Sequence, residues 1–267
     1  MPVAGRIRFG LLHFRNLDFL SVSDAANNLT PEGFTPFAQL GNATVIHGDC
    51  RLVTPKLAAV DLLLTDPPYG TEVEGDGYGR RQNYGGVGRK IAGDSDLRAL
   101  AAVLAMVNSS KAAVFASPKR THEVGTLMEL MGWEVVHQFV WDKGQPGLGG
   151  GIRYQHENIL IATRGKWGGG CGISSVLRVM SDARGGIHPH AKPVALMGML
   201  LDYCNAESVF DPFMGTGATL VAAKQRGITS LGTDLEQVYC AHAAKTLAQE
   251  DLLLSKPTPV QEELITT

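Results

Sequence analysis

The segment Leu62-Leu63-Leu64-Thr65-Asp66-Pro67-Pro68-Tyr69-Gly70 runs from an apolar stretch straight into a turn built on two prolines. Val60 to Leu64 is short, branched and bounded by Pro and Gly, which predicts a buried strand. The strand stops at Asp66, because successive prolines cannot donate to a ladder and hold the backbone in a tight, extended turn. That turn leaves a carboxylate, a proline carbonyl and an aromatic face at the carboxyl edge of a sheet, where open α/β sheets place their ligands. An acid, a carbonyl and a ring held together suit a planar base that carries an amino group. Taken alone, the same residues equally suit a strand-ending turn with a half-buried Tyr.

A second segment, Val209-Phe210-Asp211-Pro212-Phe213-Met214-Gly215-Thr216-Gly217, reads as strand, glycine loop and helix start. Glycines let backbone approach a ligand closely, and a helix start offers amide donors. A dinucleotide fingerprint needs a third glycine at position 220, where Leu220 stands, so a pyrophosphate site is disfavoured. Asp234 follows the next strand, Thr229 to Thr233, where an acid takes ribose hydroxyls in nucleoside-binding doubly wound folds. The pattern predicts a nucleoside pocket without need of phosphates; a tight structural turn is the plainer account of Gly215 and Gly217 by themselves.

The rest of the chain fits one large α/β domain. Its 267 residues suffice for a full core, and 44% hydrophobic content is that of a globular protein. No stretch approaches the ~20 apolar residues that span a bilayer, and Met1 to Leu12 lacks the apolar run of a signal peptide. Cys50, Cys171, Cys204 and Cys240 are scattered without CxxC spacing, so free thiols of a cytoplasmic protein are expected, with neither a metal site nor a disulfide framework. A net charge of -2 confines any nucleic-acid contact to a local basic patch. Gly77 to Gly93 supplies one: Arg80, Arg81, Arg89 and Lys90 stand among glycines, Tyr78 and Tyr84. Its position after Tyr69 predicts a mobile basic loop closing over a nucleic-acid backbone.

Further strands are predicted at Ala43 to His47, Ala112 to Ala116, Trp133 to Trp141 and Glu157 to Ala162. Helices are predicted from Asp96, over Thr121 to Met131, Pro193 to Tyr203, Thr216 to Gln225 and Leu235 to Gln249. The expected divisions are an extension over 1–42, a main domain over 43–250 and a polar tail over 251–267.

The two segments together resemble the S-adenosylmethionine-dependent amino-methyltransferases of DNA. With the Asp-Pro-Pro-Tyr segment upstream and the glycine segment downstream, they are similar to the permuted beta class. His188-Pro189-His190-Ala191-Lys192-Pro193, Gln155-His156-Glu157-Asn158-Ile159 and His47-Gly48-Asp49-Cys50 resemble further segments of that family, so the likeness covers roughly residues 43 to 249. It implies a doubly wound, mostly parallel, seven-stranded sheet of the class I methyltransferase type, circularly permuted.

It also implies roles. Asp66 and the Pro67 carbonyl, in a turn stiffened by Pro68, accept the hydrogens of a flipped base's exocyclic amine while Tyr69 stacks on the base. Asp211, Gly215 and Gly217 surround the methionine moiety, Lys192 meets its carboxylate, Asp234 holds the ribose and Asp49 lies by the adenine. Phe213 either lines the adenine pocket or packs in the core. A plain surface lysine is the alternative at 192, although a cation there opposes the helix dipole. The implied partners are duplex DNA and a second copy of the chain. Only Lys166 to Ile187 is available as a target-recognition insert, and the resemblance names no restriction endonuclease partner. The leading Asp tilts the target towards adenine over the amine of cytosine, and a non-catalytic nucleic-acid-binding relative is the alternative of another class, disfavoured because both segments are intact; a carbon-methylating enzyme would need a Pro-Cys nucleophile, which is absent.

Overall fold

The computed structural model describes residues 29–68, 97–146, 152–170, 172–180 and 192–254, with side chains to 250. Tyr69 and the basic residues Arg80, Arg81, Arg89 and Lys90 lie outside them. The strands are β1 (Ala38–Leu40), β2 (Ala43–His47), β3 (Leu62–Thr65), β4 (Lys111–Ala116), β5 (Glu134–Asp142), β6 (His156–Thr163), β7 (Val176–Arg178), β8 (Ser208–Asp211) and β9 (Thr229–Asp234). The helices are α1 (Cys50–Val53), α2 (Arg98–Met106), α3 (Thr121–Leu130), α4 (Val194–Tyr203), α5 (Ala218–Lys224) and α6 (Gln237–Leu254).

One sheet has the order β1-β2-β9-β8-β3-β4-β6-β5-β7. Only β1 and β6 run against the other strands. Seven strands were expected and nine are present among the described residues: β1 and β7, three residues each, extend the two edges. Pieces so short carry too few alternations to stand out in a sequence. β1 pairs with β2, so this part of the expected N-terminal extension belongs to the sheet. At the other end α6 continues to Leu254, into the expected tail.

Each central strand is buried on both faces, as parallel strands between helical layers must be. In β3, Leu63 joins the core beneath α1, α2 and α3, while Leu62 and Leu64 face the core beneath α4 and α5. Phe210 and Val209 repeat that division in β8. A third cluster, with Val45, Leu220, Ala243 and Leu247, seats α6 beside β2. Helix α2 buries Leu100, Val103 and Leu104 on one face, the spacing of an amphipathic helix. Helix α3 ends at Gly132, whose φ of 82° is left-handed, and the Trp133 amide returns to the Met128 carbonyl at 3.0 Å.

This order places the turns after β2, β9, β8 and β3 side by side along the carboxyl edge. The chain visits them far apart in sequence.

Candidate active site

Four acids stand at those neighbouring turns: Asp49 after β2, Asp234 at the end of β9, Asp211 at the end of β8 and Asp66 after β3. Each strand runs buried through the core and gives one acid where it emerges.

Asp211 is turned inward and is 3% exposed. Its Oδ1 accepts from the Thr65 hydroxyl at 2.8 Å and the Phe213 amide at 3.2 Å, and its Oδ2 accepts from the Thr219 hydroxyl at 2.6 Å. The carboxylate thus ties the end of β3 to the turn after β8 and to α5. Burial pushes its pKa up to about 6 against the pull of these donors.

Asp234 holds the glycine turn from the next strand. Its Oδ2 accepts from the Gly215 amide at 3.0 Å and its Oδ1 from the Glu236 amide at 2.8 Å. Burial raises its pKa above the ordinary carboxylate value, opposed by these two amides. Thr233 adds a bond from its hydroxyl to the Pro212 carbonyl at 2.8 Å. Two glycines are required here by geometry. Gly217 begins α5 with φ of 87°, and a Cβ there would lie 2.8 Å from the Ala243 Cβ of α6. Gly232 of β9 lies under Met214, whose sulfur would be 2.6 Å from any added Cβ.

Asp49 caps α1, accepting from the Arg51 amide at 2.9 Å, and the Arg51 guanidinium folds back on it with an Nη2–Oδ2 contact of 2.5 Å. That side-chain bond to Arg51 is the main cause holding the Asp49 carboxyl below its usual pKa. Phe213 is half-buried and packs on the core with α1, α2 and α3.

Beyond β3 the site changes character. Asp66 is half-buried and its Oδ2 accepts from the Lys192 ammonium. Lys192, just ahead of α4, has a side chain only 7% exposed and lies 5.2 Å from the Phe115 ring centroid and 5.9 Å from that of Trp141. Its nitrogen is 3.1 Å from Glu157 Oε2 on β6, and Glu157 Oε1 is 3.1 Å from Lys143 Nζ, just after β5. Burial opposes the Lys192 charge, but Asp66 and Glu157 outweigh it and its pKa stands above the usual lysine value. Burial likewise opposes the Glu157 charge, and Lys192 and Lys143 outweigh it, so its pKa is lowered. The structure therefore brings Lys192 onto the acid of the Asp-Pro-Pro turn, where the sequence analysis sets it against a cofactor carboxylate.

Glu157, Lys143, Thr65, Thr219 and Gly232 carry no role in the sequence analysis. A hydroxyl residue closing an apolar strand, as Thr65 and Thr233 both do, is the signal that could have marked the threonines. Of the expected insert, Trp167 packs on Tyr203 with ring centroids 5.6 Å apart, and 176–178 form β7. The Tyr203 end of α4 lies at the opposite edge of the sheet, where the Cys204 carbonyl accepts from Lys111 at the start of β4 (2.8 Å). Among the described residues there is no group of His, Cys, Asp or Glu able to hold a metal ion, and no helix is long and apolar enough to cross a membrane. Cys50, Cys204 and Cys240 are free and buried, with pKa values pushed up to about 12 by burial.

A family model described as DNA methylase matches residues 172–245. "Putative methylase YubD" of Escherichia coli (strain K12) is 29% identical over 218 residues, 76% of this chain and 89% of that protein. The type II methyltransferase M2.LlaDCHI of Lactococcus lactis subsp. cremoris is 24% identical over 251 residues, 79% of this chain and 91% of its own. The crystal structure of an M1.HpyAVI–SAM complex superposes with a TM-score of 0.57 at 22% identity, over 76% of this chain and 99% of that one. The fold is a methyltransferase-like α/β fold. Residues 172–245 are similar to the DNA methylase family, and most of the chain is similar to proteins named as a methylase and a methyltransferase.

Proposed function

We propose that the chain is a site-specific DNA methyltransferase that transfers a methyl group from S-adenosylmethionine to the exocyclic N6 amine of adenine in duplex DNA, after flipping the base. The observation that carries this reading is the adjacency of two different turns along one sheet edge. A glycine turn braced by Asp234 and Asp211 adjoins an Asp-Pro-Pro turn, and Thr65 bonds the second to the first at 2.8 Å. The residues present fit the cofactor. Gly217 leaves no room for a side chain against α6, and a Cβ at Gly215 would meet only open space, so the glycine turn would offer the methionine moiety its backbone. Asp234 keeps further lone pairs for ribose hydroxyls, Asp49 and Phe213 flank the adenine side, and a row of acids suits a sulfonium ligand.

When bound, S-adenosylmethionine supplies an electrophilic methyl group; the chain's own residues prepare the nucleophile. An aryl amine gives its lone pair to the ring and attacks poorly. Asp66 and the Pro67 carbonyl accept its two hydrogens and favour a pyramidal nitrogen whose lone pair points at the methyl. Pro68 stiffens the turn and Tyr69 stacks on the base, a contact worth ~1–3 kcal/mol. Flipping is required because a stacked base cannot present this nitrogen to a pocket. The order of the segments, with β3 ahead of β8 in the chain yet beside it in the sheet, supports the permuted beta class.

The test is mass spectrometry of nucleosides from DNA incubated with the purified protein and labelled S-adenosylmethionine. Label on adenine N6 is expected. Label on cytosine N4 alone would move the proposal to the second amine, which shares every step above; DNA without label would overturn the reading.

Two expectations concern DNA. If Arg80, Arg81, Arg89 and Lys90 neutralise phosphates, replacing all four by Ala flattens the log-log salt dependence of DNA affinity by about three to four. An unchanged slope would remove them from the interface. The protein is also expected to act as a homodimer, since specific DNA sites bury about 1,000 Å² or more of protein and the insert is short. Light scattering that finds only monomer, free and on DNA, would refute this.

A further inference from the structure

Lys143, Glu157, Lys192 and Asp66 alternate in charge and lie in a row, from the end of β5 through the start of β6 and the entry to α4 to the turn after β3. Lys192 is enclosed by the rings of Phe115 and Trp141, so it has little water to draw on and its charge is balanced by the two carboxylates. Lys143 in turn occupies the far oxygen of Glu157, at 3.1 Å, and lies 5.8 Å from the Trp141 ring centroid. The Lys192 contact to Glu157 Oε2 is an ion pair without a well-aligned hydrogen bond, whereas its contact to Asp66 is a hydrogen bond. Lys192 is therefore divided between two anions, and its bond is made to the acid of the Asp-Pro-Pro turn.

We propose that Glu157 is a positioning residue for methyl transfer, holding part of the Lys192 charge so that Asp66 is fixed in place yet remains an effective acceptor for the target amine. This rests on the function proposed above and assigns a task to a residue that touches neither base nor cofactor. An ammonium wholly given over to Asp66 would neutralise it and weaken its grip on the amine hydrogens. No ammonium at all would leave two carboxylates facing each other, and like charges at short range resist joint ionisation. Glu157 and Lys143 set the balance between these extremes. Among the described residues, the charged groups facing Glu157 are Lys192, Lys143 and, across Lys192, Asp66.

Four proteins test this: wild type, Glu157→Gln, Lys192→Met and the double variant. Both substitutions nearly keep side-chain volume, and thermal melts confirm that each protein is folded. Glu157→Gln should lower kcat at least tenfold while the KM for DNA and the affinity for S-adenosylmethionine stay within threefold. Lys192→Met should move the acid limb of the kcat profile up by at least one pH unit. The double variant, lacking the second carboxylate, should bring that limb back.

In the cofactor-free protein, carbon NMR of labelled carboxylates should show Glu157 titrating at higher pH in Lys192→Met than in wild type. The inference is overturned if Glu157→Gln keeps full kcat, or if the acid limb of Lys192→Met does not move or is not restored by the second substitution. It is likewise overturned if Lys192→Met weakens cofactor binding tenfold with the Glu157 titration unchanged, which would make Lys192 a cofactor ligand only. A wild-type protein that methylates no DNA would instead remove the proposed reaction, and the NMR titration would still judge the charge row.

Discussion

Asp66→Ala should lower methyl transfer by at least about a thousandfold while the affinity for S-adenosylmethionine changes less than threefold. The size follows from what the side chain is asked to do. An acceptor placed where charge develops is worth roughly a hundred- to a thousandfold in rate, and here it also makes the nucleophile. The selectivity follows from the geometry. The cofactor turn is braced by Asp234 through Gly215 and Glu236 and by Asp211 through Thr219 and Phe213, and none of these bonds passes through Asp66. The fold should also tolerate the change, since Lys192 keeps Glu157 as a counter-charge. Calorimetry gives the cofactor affinity and nucleoside mass spectrometry the transfer. A variant that keeps a tenth of the wild-type rate would end the role assigned to Asp66, and one that loses cofactor binding would merge the two pockets into one.

Asp211→Ala should act on stability instead, costing about 3 kcal/mol or more. It leaves the Thr65 hydroxyl, the Thr219 hydroxyl and the Phe213 amide without their acceptor in a site that admits almost no water. Asp211→Asn keeps the shape and an acceptor, and so separates charge from bonding. The sign of the pH effect is the reverse of that for a salt-bridged carboxylate. The folded pKa of about 6 lies above the ordinary carboxyl value of 3.8 for the unfolded chain, so the folded state binds more protons between these values. Stability from this group is therefore greatest below about 4 and declines as pH rises towards 6. Asp211→Asn should remove that decline. Denaturant melts from pH 4 to 7 test it, and a decline that persists unchanged in Asp211→Asn would place the responsible group elsewhere.

Much of this arrangement can be read along the chain because its signals are local. Val60 to Leu64 followed by two prolines can only be a strand that stops, and β3 ends at Thr65. Gly215 and Gly217 announce a turn with left-handed φ at both, and at Gly217 an added Cβ would also meet Ala243. Predicted strands and helices meet the observed ones within a few residues, because the strands are short apolar runs bounded by turns and most of the helices bury an apolar face. What escapes the sequence depends on register and distance. Lys192 and Asp66 are 126 residues apart, and Thr65 and Asp211 146 apart; no spacing rule joins them. A lysine at the start of a helix calls for an anion, but the chain offers several, and only the packed structure selects Asp66 and Glu157. Helix α1 is missed because its four residues rest on the Asp49 cap and tertiary packing, not on a periodic face.

The reversed course of β6 has a consequence for how such an edge is furnished. Forward strands can deliver to it only the residues on which they finish, and each forward strand must then leave through its own crossover. A strand running backwards delivers its opening residues there, and the Glu157 carboxylate arrives on the first turn of pleat, opposite Trp141 of β5. The hairpin partner brings Lys143 to the same point, with its amide bonded to the Gln155 carbonyl at 2.9 Å. One inverted strand thus doubles the functional groups its stretch of edge can present, and it does so with short-range wiring. The long-range couplings are left to the acids of the forward strands, so this corner is the part of the site whose chemistry can be rebuilt by changing a single hairpin.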